Sequence, residues 1–241
     1  MKEISVPPIF ILSACTVPFT ITVLDFVNSI KKLFSFLVSC TEQQCIIYGT
    51  TTDVKDGDYM YITELDDNTY LDSAIVMNGK FTFKLPKASE EDFLPKVIVS
   101  AIGNKPSVAF VFTQDSEVKY ISDSQNHIFE VYGSPYNDLF RLENIKTDSI
   151  SHALGHLDNL RLKDSTLTQE QKDSITLKMK DLIKEDSILN INSIERNIDN
   201  LVGAYLLYIN RHSINEIKFQ ELFDRLPKKF SSSKYFDDVR N

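Results

Sequence analysis

Tryptophan is absent from the 241 residues, glycine and proline number only seven and eight, and cysteine three. Such modest glycine and proline contents exclude a low-complexity chain. The missing tryptophan is offset by 16 phenylalanines and 10 tyrosines, which supply aromatic core volume. Cys15, Cys40 and Cys45 all fall in the first fifth of the chain and form no C-x-x-C pair. A thioredoxin-type redox centre is therefore excluded from these residues. The Cys40–Cys45 spacing suits neither a zinc knuckle nor a redox pair. A G-x-S-x-G elbow and a glycine-rich phosphate loop are also missing. A serine nucleophile needs a base and an oxyanion hole, and neither is signalled. Basic excess is lacking too: the net charge of −8 disfavours a general nucleic-acid binder, which needs a cationic face to neutralise phosphates.

What is present begins with the stretch from Asp72 to Phe83. Asn78-Gly79 suits a two-residue turn in which both positions take positive φ. Val76 and Met77 lead into the turn. Phe81 and Phe83 alternate with Lys80 and Thr82 after it, so both rings share one face. Other strands are expected at Cys45–Gly49, Tyr59–Ile62, Lys96–Ile102, Ser107–Thr113, Val118–Ile121 and Ile128–Tyr132. Asp56-Gly57 and Gly103-Asn104-Lys105-Pro106 provide turns between them. Short strands at this spacing imply an antiparallel sandwich or open barrel.

Gly133-Ser134-Pro135 marks a change to helical periodicity. Leu139, Leu142, Ile145, Ile150, Leu154, Leu157 and Leu160 recur at three- and four-residue steps. Thr168-x-x-Gln171 is a capping box opening a second helix through Ile175, Met179, Leu182 and Ile183. Leu201–Ile209 is short and strongly apolar and reads as a buried helix. Ser213-x-x-Glu216 is a second capping box, and Pro227 ends the helix it opens. The expected fold is thus α+β: a β-sandwich or open barrel over residues 43–133, then a helical bundle over 134–241.

Residues 1–39 differ in composition from everything later. Pro7 to Leu24 carries no charge. Lys31-Lys32 then precede an apolar run that ends in Leu37-Val38-Ser39-Cys40. This resembles a bacterial lipoprotein signal, with Cys40 as the lipid-bearing residue. Leu12-Ser13-Ala14-Cys15 is a weaker match of the same kind. The alternatives are a membrane-spanning helix over residues 7–24 and a true initiation near residue 30.

Few residues group in a way that carries chemistry. His152 and His156 share a helix face at i,i+4, the spacing of a metal pair, but no third ligand follows, and two exposed polar positions explain them as well. His127 and His212 have no signalled partner. Asp66 and Asp67 read as solvated loop acids. Asp53, Asp56 and Asp58 surround a turn without the distal glutamate of a calcium loop. Tyr59 and Tyr61 read as core or cross-strand packing rather than a ligand platform.

Four segments resemble the DUF4369 family of Bacteroidetes envelope proteins. They are Ile47-Tyr48-Gly49; Asp56-Gly57 with Tyr59-Met60-Tyr61-Ile62; Asp72-Ser73-Ala74 with Val76, Gly79-Lys80-Phe81 and Phe83; and Val131-Tyr132-Gly133-Ser134 with Asn137. In that family the sheet and helices usually precede a thioredoxin-like domain of the peroxiredoxin or thiol–disulfide oxidoreductase type. The resemblance covers residues 43–240, up to where the connector to such a domain would begin, and carries over no catalytic residue. The expected function is a non-catalytic accessory or binding module, tethered to the envelope membrane through Cys40 or the apolar N-terminus and facing the periplasm. An envelope protein is its expected partner, with no cofactor and no nucleic acid. The alternative is the N-terminal part of a thiol–disulfide oxidoreductase whose redox domain is lost or separately encoded. A metal enzyme using His152 and His156 is a third reading.

Overall fold

A computed structural model of the chain describes residues 43–100, 108–126, 128–163 and 166–240. Cys15, Cys40, the loop at 103–106 and His127 lie outside these residues. The strands are β1 (Gln44–Thr51), β2 (Tyr59–Thr63), β3 (Tyr70–Ile75), β4 (Lys80–Pro86), β5 (Lys96–Ser100), β6 (Val108–Val111), β7 (Glu117–Asp123) and β8 (Ile128–Tyr132). The helices are α1 (Pro135–Lys163), α2 (Gln169–Arg196), α3 (Leu201–Asn210), α4 (Glu216–Arg225), and the short α5 (Lys228–Ser231) and α6 (Asp237–Arg240). The α+β class is as expected, with strands first and helices after.

The strands form two four-stranded sheets, ordered β4-β1-β7-β8 and β3-β2-β5-β6. Strict alternation explains why they face each other. Along β4, Phe81, Phe83 and Leu85 are buried while Lys80, Thr82 and Lys84 are exposed. Their partners in the core between the sheets include Ile47, Met60, Ile62, Ile98, Val118 and Tyr120. The arrangement is a sandwich rather than an open barrel. One pairing departs from the antiparallel expectation: β1 and β7 run parallel, with Ile47 opposite Val118. Between them the chain crosses to the second sheet and back twice, returning once as the antiparallel β4 and then as β7 in the direction of β1.

The Asn78-Gly79 turn forms as read, with φ of 53° and 67°. The strands on either side of it do not stay paired. They share one bridge, Met77 to Lys80, before β3 joins β2 and β4 joins β1. The cause lies in who takes the backbone groups. Val76 bonds to Gly57 and Asp58 on one side, and the Gly79 carbonyl accepts from Thr51 on the other. The turn is therefore the corner where the two sheets meet.

A second core joins the helices to the outer face of the second sheet. The α3 residues Leu201 to Leu207 are all buried, as the apolar run predicted. Phe112 and Phe140 meet Tyr205 edge-on, with ring centroids 5.7 and 5.5 Å away. The α1 face differs from the expected stripe: Leu142 and Ile145 are each 53% exposed, whereas Asn137, Phe140 and Glu143 are buried. Polar partners on α2 and at Phe112, just past β6, turn that face inward. The Thr168–Gln171 capping box is present in both directions. The one expected at Ser213 is replaced by Asn215, whose side chain accepts from the Lys218 N–H at 2.9 Å. Ile214 is buried, and the cap lies two residues past Ser213, at Asn215.

Candidate functional site

Asn137 is the residue from which the site is built. It is 2% exposed in the first turn of α1. Its side-chain amide accepts from the Phe112 N–H and donates to the Phe112 carbonyl, both at 2.9 Å. An amide bonded both ways to one residue is what a neighbouring strand would provide. Ser134 Oγ accepts from the same amide at 2.8 Å, so the expected capping hydroxyl supports Asn137 instead. Asp138 reaches back to the Gly133 N–H at 3.0 Å and fixes the helix start.

Asn137 thus closes one end of the β6 edge. The rest stays open, because β6 is the last strand of its sheet. Alternation places the Phe110 and Val108 N–H and C=O groups on the same edge as those of Phe112. They have no partner strand among the described residues. Opposite stands β8, the last strand of the other sheet, and α1 forms the third wall.

The space between them is a cleft of about 350 Å³. Ala109 and Phe110 of β6 and Phe129 to Val131 of β8 line two sides. Phe140, Arg141, Asn144, Ile145 and Asp148 follow Asn137 along one face of α1 at helical spacing. Val108, Phe129 and Ile145 are 49%, 44% and 53% exposed and make its rim apolar. Arg141 pairs with Glu130 across the cleft at 3.5 Å, while its Nε is buried without a partner among the described residues. Asp148 has no ion pair among the described residues.

A second hollow, of about 450 Å³, is lined by Glu64, Asp66, Asp67, Glu91 and Asp92 with Lys234. Glu64, Asp66, Asp67 and Asp92 already have structural partners. The nearly buried Lys96 ammonium bonds Glu64 at 2.8 Å and Asp92 at 3.0 Å. Burial alone would lower the Lys96 pKa, but these carboxylates outweigh it and hold the pKa above its usual value. Tyr235 donates to Asp92 at 2.8 Å, and burial followed by that bond pushes its hydroxyl pKa up. This network ties β2 and the β4–β5 connection to the C-terminal segment.

The residues singled out from sequence sit elsewhere. His152 and His156 are exposed on α1 and His212 is exposed beyond α3. Among the described residues no group of three or more His, Cys, Asp or Glu is arranged to hold a metal ion. Asp67 accepts from the Thr69 N–H at 2.8 Å and closes its own loop. Asp56 accepts from the Gly79 N–H at 3.0 Å, and Asp53 takes the Ser124 N–H at 2.8 Å, so these acids brace turns. Tyr61 stacks on Tyr59 and meets Tyr70 edge-on at 5.6 Å, cross-strand packing on an exposed face. Cys45 is buried and has no disulfide among the described residues. Burial first, then Asp115, raises its thiol to about 11, so it stays protonated at neutral pH. Among the described residues no helix is long and apolar enough to cross a membrane.

The cleft residues were missed because β6, β8 and α1 meet there only through tertiary packing, which no local sequence pattern shows. The available signal was the polar sequence Asn137, Arg141, Asn144, Asp148, which repeats at helical steps beside the apolar stripe.

Comparison with known proteins bears on the same region. No curated protein and no solved structure matches the chain. Residues 45–140 match the family described as domain of unknown function DUF4369, from β1 through Phe140, a span that includes two walls of the cleft and Asn137.

Proposed function

We propose that the chain is a non-catalytic binding module, held at the cell envelope by a lipid on Cys40, with the β6–β8–α1 cleft as its binding surface. The cleft carries the reading: it combines an apolar rim with strand-edge groups and a carboxylate that have no partner among the described residues. Buried polar side chains elsewhere, such as Glu143 and Lys96, are bonded to the fold itself. The tether rests on Leu37-Val38-Ser39-Cys40 after Lys31-Lys32. An envelope protein is the partner this placement offers. The alternative, the N-terminal part of a thiol–disulfide oxidoreductase, rests on the family resemblance, and Cys45 lends it no reactive thiol.

Two measurements test the reading. Palmitate labelling of the full chain in a bacterium that processes lipoproteins is expected to mark the wild type and not Cys40→Ser; an unlabelled wild type removes the tether. Peptides selected from a displayed random library on the full chain are expected to lose binding to Ile145→Trp, which fills the cleft mouth. Peptides indifferent to that change remove the cleft as the binding surface.

A further inference from the structure

We infer that the cleft takes an extended peptide bearing a basic side chain, which adds as a strand to the open edge of β6. This deepens the binding-module reading and rests on it.

The argument begins with the backbone. A strand edge with free N–H and C=O groups is a template for another chain. In this fold the template is already half used: the Asn137 amide bonds Phe112 as a strand residue would. The next positions on that edge, Phe110 and Val108, offer the same pattern with no partner strand among the described residues. Helix α1 and strand β8 flank the edge, so a whole second sheet cannot approach it, whereas a single extended segment can. A volume of about 350 Å³ lies at the small end of ligand pockets and suits a few residues.

The side chains specify the rest. Phe129, Ile145 and Val108 offer apolar contact along the rim. Charge selects the sign. Glu130 and Arg141 neutralise each other across the cleft, which leaves Asp148 in excess on the α1 wall. Lys146, two residues away, pairs instead with Glu143 at 2.8 Å. A lysine or arginine on the incoming strand answers Asp148, in keeping with the net charge of −8.

The test uses the full chain labelled with ¹⁵N and defined pentapeptides, acetyl-TVKVT-amide and acetyl-TVEVT-amide. The lysine peptide is expected to shift and protect the Phe110 and Val108 amides and to bind at least tenfold more tightly than the glutamate peptide. Two further versions carry backbone N-methyl groups, one on both valines, the other on the lysine and outer threonines. Only one set of alternate residues faces the edge, so one version keeps binding and the other loses it. Equal binding of the two N-methylated versions, or perturbation away from β6, overturns strand addition. Equal binding of the lysine and glutamate peptides overturns the basic preference. No response of β6 to any peptide overturns the inference as well. The cleft itself fails separately, if library-selected peptides ignore Ile145→Trp. Val108→Pro removes one outward N–H at an exposed position and is expected to weaken the lysine peptide at least tenfold while leaving the β5 pairing in place.

Discussion

Gly49 occupies its place because of the ring across from it. It lies opposite Phe81 in the β1–β4 register, and a Cβ there would sit 2.0 Å from the ring. Phe81 is 5% exposed inside the sandwich and has little room to withdraw. Gly49→Ala is expected to cost about 1–3 kcal/mol in urea unfolding, partly restored when Phe81→Leu is added. Cys45 gives a second test at this scale. With Cys15 and Cys40 changed to serine in the full chain, alkylation of Cys45 at pH 8 should run about a hundredfold slower folded than unfolded. A fast native reaction would contradict the raised thiol pKa of about 11. At single residues the sequence was legible where chemistry is local, as with Asp67 closing its own loop. It was silent on Asn137 and Glu143. A period search counts apolar residues, and these two are polar groups buried by partners that lie 25 and 50 residues away.

Elements were more legible than their neighbours. The Asn78-Gly79 turn, the Thr168–Gln171 capping box and the apolar α3 each follow from a few adjacent residues. What the turn connects was not legible, because Thr51, Gly57 and Asp58 decide it from elsewhere in the chain. The corner role makes its own prediction. Gly79 has φ of 67°, and a Cβ would come within 3.0 Å of the carbonyl of Thr51, whose own N–H donates to the Gly79 carbonyl. Gly79→Ala should cost about 1–2 kcal/mol or more. Because the turn joins two sheets, amide exchange should quicken in β3 and β4 together. Loss confined to one strand would show that the corner is not shared. The α1 stripe was misread for a related reason: Leu142 and Ile145 fit the period, but the helix rotates to bring Glu143 and Asn137 to their partners.

For the molecule as a whole, the fold class was legible in the switch from period two to period 3.6 at Gly133, while the parallel β1–β7 pair and the cleft were not, being products of long-range crossing. Glu143 shows how the helical half is fastened. Its carboxylate is 6% exposed and accepts from Ser193 at 2.5 Å and Arg196 at 2.8 Å, with Lys146 at 2.8 Å. Burial alone would raise its pKa; the bonds from Lys146, Ser193, Arg196 and Asn197 outweigh it and bring the value down from 4.5 to about 2. A carboxyl depressed in the folded state stabilises the fold fully above pH 4.5, and the contribution fades as pH falls towards 2. A shift of that size corresponds to about 3 kcal/mol as an upper value. Other carboxylates titrate in the same window, so the comparison must be with Glu143→Gln rather than with pH alone. Urea midpoints between pH 6 and pH 2 should show the variant less stable at pH 6 and the two proteins converging near pH 2, because the protonated wild-type side chain and glutamine then offer similar groups to Ser193 and Arg196. A gap unchanged by pH would mean that packing, not charge, holds α1 to α2.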